Sequence, residues 1–427
     1  MGLGRVGLVT AVMFANSGFR VIGFDTDPKV IAAVSAGSVR TREPGLENLL
    51  KKVVNEGSLE ATIDANEAFE DSDVYIVCVD VPLNKAGQPC LSQIRTVCKE
   101  IASSPLKEKL VIIESTVPPR TTKDVVAKIL EVESRFECGR DLWLAHCPER
   151  MSTGNAIRDF AQNVRIVGGH DENSTKIALA LFKAVAEGEI LTTDCTTAEV
   201  AKLAENSFRD VNIAFANELA LICEEIGIDV AHVAELANTH PRVKIHAPGY
   251  VGGPCVPKAT HLLLHGVKDK EKKLKLMLSS RELNEYMLEH TINLIISSLK
   301  EVGKKVGTSR IAVLGAAYKG ETDDARNSSS EKIAKKLMKL GAKVVVYDPY
   351  AIESFGALKA PNIMKAAEDA DCLVIATAHE MFRKLEFKEI RRIMMNKPII
   401  VDGRQLIDPS KVRGLGFHYV GIGNPHC

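Results

Sequence analysis

The sequence predicts an α/β protein with two doubly wound domains, one at each end, joined by a long central helical region. Three observations carry this. Short strands rich in Val and Ile alternate with helix-patterned stretches over residues 1–195 and again over 306–427. Between them, Thr196 to Ile226 runs without a single Pro or Gly. Each end also carries a glycine-marked first turn and then a strand ending in aspartate, Val-Ile-Gly-Phe-Asp25 in one and Val-Val-Tyr-Asp348 in the other.

In order along the chain, the first domain offers strands at Arg20–Phe24, Val74–Val79, Leu110–Glu114, Leu142–His146 and Arg165–Val167. The alternation argues for a parallel sheet with helices on both faces. The central region, 196–305, opens with Thr196-x-x-Glu199, the pattern of a capping box, and its first helix closes at Gly227. At 1.5 Å per residue that helix is about 45 Å long. A second helical stretch covers Leu274 to Glu301. Strands then resume at Ile311–Leu314, Val344–Tyr347, Leu373–Ile375 and Ile399–Val401.

Composition narrows the function. The chain has 427 residues, 45% of them hydrophobic, with 55 basic and 55 acidic side chains. A nucleic-acid binder shows a basic excess or stripe, and a disordered chain lacks this apolar content. No apolar run reaches the roughly 20 residues of a membrane span, and no signal-peptide pattern opens the chain. The ten cysteines form no CxxC pair or zinc-spaced cluster, so reduced thiols, a cytoplasmic setting and no metal are expected.

Gly2-Leu-Gly4-Arg-Val6-Gly7, with Asp25 at the tip of the next strand, is the fingerprint of a Rossmann-like dinucleotide site. The glycines make a tight turn and let the backbone approach a pyrophosphate at a helix N-terminus. The acid, suited to ribose hydroxyls, favours NAD over NADP. The motif needs a strand before it, yet only Met1 precedes Gly2. The expectation is therefore a gap in the sheet, or a chain that starts several residues earlier.

Further on, Gly249-Tyr-Val-Gly252-Gly253-Pro-Cys255-Val-Pro-Lys258 delivers one thiol on a glycine-rich loop with a cation nearby, the setting of a cysteine nucleophile. Lys202 and Asn206, four apart, share a helix face. Glu149 and Arg150 follow a strand, where active-site loops of parallel sheets lie. Lys319 and Arg404 also follow strands, at the same edge of the second sheet, and suit a phosphate-bearing ligand.

Taken together, these blocks resemble the UDP-glucose/UDP-N-acetylmannosamine 6-dehydrogenase family over essentially the whole chain. They are Gly2-x-Gly4-x-x-Gly7, Glu43-Pro-Gly45, Glu114-Ser-Thr116-Val-Pro118, Cys147-Pro-Glu149-Arg150, Ala201-Lys202-x-x-x-Asn206-x-Phe208-Arg209, Gly252-Gly253-x-Cys255-x-Pro257-Lys258, Tyr318-Lys319-Gly320 with Asp323-Asp324-x-Arg326, and Asp402-Gly403-Arg404. The Cys-Pro-Glu-Arg and His240-Pro-Arg242-Val segments are closest to the UDP-N-acetyl-D-mannosamine dehydrogenase branch.

The resemblance implies an NAD-binding domain over 1–195, a helical dimerisation domain with the cysteine loop over 196–305, and a UDP-sugar-binding domain over 306–427. It implies a four-electron oxidation of a C6 hydroxymethyl group to a carboxylate by two NAD, through a thiohemiacetal and a thioester on Cys255. Glu149 would act as acid and base through a water positioned by Thr116, and Lys202 and Asn206 would stabilise oxyanions. Gly2, Gly4, Val6, Gly7, Asp25 and Arg326 would meet the cofactor. Arg150, Arg242, Gly252, Gly253, Lys258, Tyr318, Lys319 and Arg404 would meet the UDP-sugar. UDP-N-acetylmannosamine is the first substrate expected, then UDP-N-acetylglucosamine or UDP-glucose, and the chain would form a homodimer or a tetramer of paired dimers.

Three positions depart from the family pattern: Ala259 where an aspartate is usual, Ser329 where a proline is usual, and Arg120 where glycine is preferred. Ala259 motivates a second reading, a nucleotide-sugar binding protein with little catalysis. A two-electron 3-hydroxyacid dehydrogenase is a third, with no use for Cys255.

Overall fold

The Val- and Ile-rich runs become buried strands in both halves of the chain. The computed structural model describes residues 1–267 and 273–424, and the chain divides into two compact units, Met1–Glu205 with His261–Glu271, and Asn206–Thr260 with Lys272–Cys427.

The first unit holds β1 (Val21–Phe24), β2 (Leu59–Thr62), β3 (Val74–Val77), β4 (Leu110–Ile113), β5 (Trp143–His146), β6 (Arg165–Gly169) and β7 (Ile190–Asp194). β1 pairs with β2, and the other five run in the order β3-β4-β5-β6-β7. All neighbours are parallel except β5 and β6, which pair antiparallel at Ala145–Gly169 and His146–Gly168. The connection after β5, with its short helix Ala156–Gln162, brings the chain back from the end where β5 stops, so β6 runs in reverse.

Between β1 and β3 the expected gap is present, but only in part. Gly2 N–H donates to Phe24 O at 2.8 Å, Cys78 N–H to Met1 O at 2.8 Å, and the Met1 amine to Ile76 O at 3.0 Å. Met1 and Gly2 thus stitch the carboxyl ends of β1 and β3 together. Behind them lies a cavity of about 410 Å³, lined by Val21, Gly23, Val74, Ile76 and Phe14 among others. Helix α1 (Arg5–Asn16) packs its apolar face into the core, where Phe14 meets Phe160 and Phe182 edge-on.

The second unit has the six-stranded parallel sheet. Its strands are β8 (Arg310–Leu314), β9 (Lys343–Tyr347), β10 (Leu358–Lys359), β11 (Cys372–Ile375), β12 (Ile399–Asp402) and β13 (His418–Gly421). The order β10-β9-β8-β11-β12-β13 is that of a doubly wound nucleotide-binding sheet, with the switch point between β8 and β11. β8, β11 and β12 are almost wholly buried, which explains their unbroken apolar runs.

The long helix α2 spans Cys195–Ile226, 32 residues, and Gly227 ends it at φ 84°. Its predicted capping box does not form. Asp194 caps the first turn instead, accepting from Thr197 N–H at 3.0 Å and from the Thr197 hydroxyl at 2.5 Å. Glu199 turns away to other partners, because Asp194 already satisfies the helix start. Helices α3 (Val256–His265), α4 (Leu276–Glu301) and α5 (Ser329–Lys339) follow. Inside the second unit, α2 and α4 share a buried polar chain. Arg281 donates to Asp210 at 2.6 Å, Asn284 donates to Asp210 at 2.8 Å, and Asn217 donates to Asn284 at 2.7 Å. Asn217 then clasps Gly249, accepting its N–H at 2.6 Å and donating to its carbonyl at 3.0 Å. This fixes the start of the cysteine loop. Among the described residues no helix is long and apolar enough to cross a membrane.

Candidate active site

In the first unit the glycine turn is built as its motif requires. A side chain at Gly7 would place Cβ 1.8 Å from Gly2 O, so the close approach of α1 to the turn demands glycine. At Gly4, the N-cap of α1, an added Cβ would meet nothing within 4 Å, and no side chain caps the helix. The start of α1 thus has room for an anion, which a helix N-terminus favours. Asp25 accepts from Leu3 N–H at 2.8 Å and from Asp27 N–H at 2.9 Å, so its carboxylate is fixed at the tip of β1. Val6 follows in the first turn of α1. These residues suit the pyrophosphate and ribose of NAD.

Past β4 and β5 lie two loops with the acid and base candidates. Thr116 is half-buried, next to Ser115, whose hydroxyl donates to Val79 O at 2.7 Å. Lys202, buried on α2, donates to the Glu149 carbonyl at 2.5 Å and lies 3.0 Å from Glu149 Oε1, while Glu149 Oε2 accepts from Met151 N–H at 2.9 Å. The carboxylate is thereby oriented at both oxygens. Arg150 binds Glu205 at 2.8 Å and the Val164 carbonyl at 2.6 Å. Asn206, 9% exposed, is one turn beyond Lys202 on α2, as spacing required, and opens the second unit.

Two buried groups here were given no role from the sequence, although Glu114 opens one of the matched blocks. Glu114 is 1% exposed and accepts from the Thr10 hydroxyl at 2.8 Å and the Cys78 thiol at 3.0 Å, with Arg165 at 3.9 Å. Burial holds its carboxyl above the usual range, opposed chiefly by Arg165. His146, at the end of β5, is fully buried with neither ring nitrogen hydrogen-bonded. Burial, then the nearby charge of Lys202, pushes it down to about 3, so the imidazole is neutral.

In the second unit, Cys255 is the one exposed cysteine among the described residues. Burial pushes the Cys98, Cys138, Cys147 and Cys195 thiols up to about 12, which leaves them inert at neutral pH. The Cys255 loop rests on the segment after β8. Gly253, at φ 89°, donates its N–H to Asn327 O at 3.1 Å, and Asn327 Nδ2 returns a bond to Gly253 O at 3.0 Å. A Cβ on Gly253 would meet the Tyr318 ring at 2.7 Å, and one on Gly252 would meet Asn327 O at 2.8 Å. Both glycines are therefore set by contact. Asn327 had no sequence signal, since its role depends on two segments 74 residues apart.

Arg326 forms a two-pronged pair with Asp324, Nε to Oδ1 at 2.9 Å and Nη2 to Oδ2 at 2.6 Å. Asp324 raises its pKa first, and the charges of Cys255 and Tyr318 act in the same direction. Arg404 donates to Ala376 O at 2.9 Å and Tyr250 O at 3.0 Å, its guanidinium 4.1 Å from the Tyr250 ring centre. Lys258 is half-buried in the first turn of α3 and Lys319 is exposed after β8. Arg242 sits in an exposed turn after the helix Val230–Ala237 and is not gathered with the others. Ala259 is 1% exposed.

The chain matches three family models in order: the NAD binding domain over residues 1–186, the central domain over 196–286 and the UDP binding domain over 312–409 of the UDP-glucose/GDP-mannose dehydrogenase family. It is 41% identical over 424 residues to the UDP-N-acetyl-D-mannosamine dehydrogenase of Pyrococcus horikoshii, covering 99% of this chain and 98% of that protein. The structure of the UDP-D-ManNAc dehydrogenase from the same organism matches with a TM-score of 0.92 at 40% identity, over 99% of this chain and 98% of that one. An NDP-N-acetyl-D-galactosaminuronic acid dehydrogenase from Methanosarcina mazei matches with a TM-score of 0.85 at 34% identity, over 99% and 94%. An NAD-binding turn, an oriented Lys202–Glu149 pair and one exposed loop thiol are thus joined to full-length likeness, and the chain belongs to the UDP-glucose/GDP-mannose dehydrogenase family of NAD-dependent UDP-sugar dehydrogenases.

Proposed function

We propose that this chain oxidises the C6 hydroxymethyl group of UDP-N-acetylmannosamine to the carboxylate, with loss of four electrons and uptake of one water. The observation that carries the reading is Cys255, an exposed thiol on a glycine loop docked against Tyr318 and Asn327. NAD, when bound, accepts the electron pair of each oxidation.

In this reading the alcohol first becomes the aldehyde, its hydroxyl proton passing to Glu149 through water. The Cys255 thiolate then adds to C6, and the oxygen takes up a proton to give a thiohemiacetal. The second oxidation leaves a thioester, the hydroxyl proton passing through Glu149 to bulk water so that the carboxylate is again free to act as a base. Water, positioned by Thr116 and deprotonated by Glu149, attacks C6; the C–S bond breaks and the thiolate leaves. Lys202 and Asn206 stabilise the negative oxygen that develops at C6. Arg326 favours the Cys255 thiolate by its charge as well as meeting the cofactor. Gly252, Gly253, Lys258, Tyr318, Lys319 and Arg404 hold the nucleotide-sugar, with Arg150 and Arg242 as further contacts. UDP-N-acetylglucosamine is the next candidate, because the two sugars differ only at C2.

We also infer a homodimer. Phe208, Phe215 and Ile222 recur every seven residues on α2 and are 65%, 56% and 49% exposed, with Ile226 at 65%. That apolar stripe suits burial against a second copy.

A second reading is a nucleotide-sugar binding protein with little turnover, favoured by the buried Ala259 where the family places an acid. The deciding experiment mixes purified protein, NAD and UDP-N-acetylmannosamine and counts NADH per sugar. Two are expected, and Cys255→Ser should abolish sustained turnover. UDP-sugar binding with no NADH would sink the enzyme reading. A higher kcat/KM for UDP-N-acetylglucosamine or UDP-glucose would reassign the substrate.

A further inference from the structure

We infer that Glu199 is a positioning residue of this enzyme, which holds the Thr116 loop in place by accepting the backbone N–H groups of Arg120 and Thr122. Its Oε2 lies 2.5 Å from Arg120 N and its Oε1 2.7 Å from Thr122 N, and the side chain is 1% exposed. The inference rests on the role proposed for Thr116.

Ser115 anchors the start of this loop, with its N–H and hydroxyl on Val77 O and its hydroxyl also on Val79 O, and Glu199 anchors the far end. Pro118 and Pro119 carry no N–H. Thr121 N–H turns back to Pro118 O at 3.2 Å. The two N–H groups that remain after the prolines, before Lys123, both go to Glu199. Thr122 begins the π-helical turn Thr122–Val126, so one of the two bonds also satisfies an orphan donor of a helix start. Arg120 has φ 71°, a region costly for any residue but glycine, while its side chain is exposed. Packing of its side chain does not demand that backbone. The turn closed by Thr121 N–H on Pro118 O sets it, with Arg120 at the position that takes positive φ, and Glu199 receives the N–H presented there.

Glu199 is three residues before Lys202, which grips Glu149 by its carbonyl and its carboxylate. One stretch of α2 thus holds both chemically equipped loops of the first unit, the one after β4 through Glu199 and the one after β5 through Lys202. Their relative placement follows the helix and not the flexibility of either loop. Burial pushes the Glu199 carboxyl up to about 7, against the Thr122 and Arg120 donors that stabilise its charge. The ionisable groups acting on it are Asp124 from the π-helical turn and Cys195 from the first turn of α2, with Lys202 further along the helix and engaged by Glu149. A proton on the carboxyl converts an acceptor into a donor facing an N–H, so the clamp loosens as pH falls through about 7.

The test compares kcat, KM and the pH profile of kcat for the wild type, Glu199→Gln, Glu199→Ala, Glu199→Ala with Arg120→Gly, and Thr116→Ala, with NAD and UDP-N-acetylmannosamine. Orphaning two buried N–H groups in Glu199→Ala should lower kcat ~10–100-fold while KM for the sugar moves less than ~3-fold. Glu199→Gln keeps one acceptor and cannot titrate, so it should lose ~3–10-fold in kcat and flatten the decline below pH 7. Adding Arg120→Gly should recover several-fold of the alanine variant's loss, because glycine holds that backbone without the bond. Should Glu199→Ala fail to fold, Glu199→Gln and its pH profile still decide. An unchanged kcat and acid limb in Glu199→Gln, with Thr116→Ala inactive, would overturn the inference and leave the proposed function standing. Full turnover in Thr116→Ala would instead strike the role assigned to Thr116, and the inference with it.

Discussion

Replacing Asp348 by Asn should destabilise the second unit by about 3 kcal/mol at pH 7. The Asp348 side chain is fully buried at the tip of β9. Its Oδ1 accepts from Tyr350 and Ala351 N–H, both at 2.8 Å; its Oδ2 accepts from Ala316 and Ala317 N–H at 2.6 and 3.0 Å and from His379 Nε2 at 3.0 Å. The His379 tautomer is set by Glu321 N–H, which donates to Nδ1 at 3.1 Å and leaves the proton on Nε2. In the Asn variant the amide nitrogen faces at least two N–H donors and can accept from none. Two bonds to a charged acceptor, at about 1.5–3 kcal/mol each, give roughly 3–6 kcal/mol before relaxation. The carboxyl itself gives a lower figure. Burial would raise its pKa, but the His379 bond with the backbone donors carries it from 3.8 down to about 2. That fall corresponds to roughly 2.5 kcal/mol favouring the ionised form in the folded state. A folded pKa below the unfolded one means the contribution is present above pH 3.8 and lost as pH falls through about 2. Urea unfolding at pH 7 and at decreasing pH measures both. A gap below about 1 kcal/mol at pH 7, or one that does not shrink on acidification toward pH 2, would refute the reasoning.

Other outcomes follow from the same kind of accounting. His146 has a folded pKa of about 3 against an ordinary 6.5, so stability falls as pH drops from 6.5 toward 3, by up to roughly 4–5 kcal/mol. His146→Phe should flatten that slope in urea titrations, and an unchanged slope would place the acid lability elsewhere. Lys202→Met removes the cation bound to Glu149 and should lower kcat ~100–1,000-fold with UDP-sugar affinity little changed, read by steady-state kinetics and calorimetry; retention of more than about a tenth of the wild-type kcat would count against its role. Phe215→Glu puts a charge on the exposed apolar stripe of α2 and should shift sedimentation from dimer to monomer; an unshifted dimer would place the interface elsewhere.

Much of the fold was legible because buried parallel strands leave a strong local mark. Leu110–Ile113 and Cys372–Ile375 are apolar at every position since both faces are covered. β2 (Leu59–Thr62) and β7 (Ile190–Asp194) were missed because they are mostly half-exposed or exposed and mix polar with apolar residues. The two-residue β10 leaves no pattern at all. The reversal of β6 was invisible, since strand direction depends on where the chain re-enters the sheet. At the site, Gly2, Gly7 and Asp25 were readable from spacing, and so was the exposed Cys255 among its glycines. Glu199 was read as half of a capping box, a local pattern that Asp194 pre-empts.

The sequence alone determined the doubly wound plan of both ends, the long helix between them and the nicotinamide cofactor, and it singled out the Cys255 thiol as a candidate, because each depends on residues close along the chain. The glycine spacing, the apolar runs and the Cys255 loop are all local in this sense. Only the tertiary structure decided the partners of the buried polar groups. Glu199 reaches back 77 residues to Thr122, Lys202 53 residues to Glu149, and Asn327 74 residues to Gly253. A buried donor or acceptor must find a partner to offset its desolvation. Which partner it finds depends on the loops that end at the same edge of a sheet, and that is a property of the packed strands and helices.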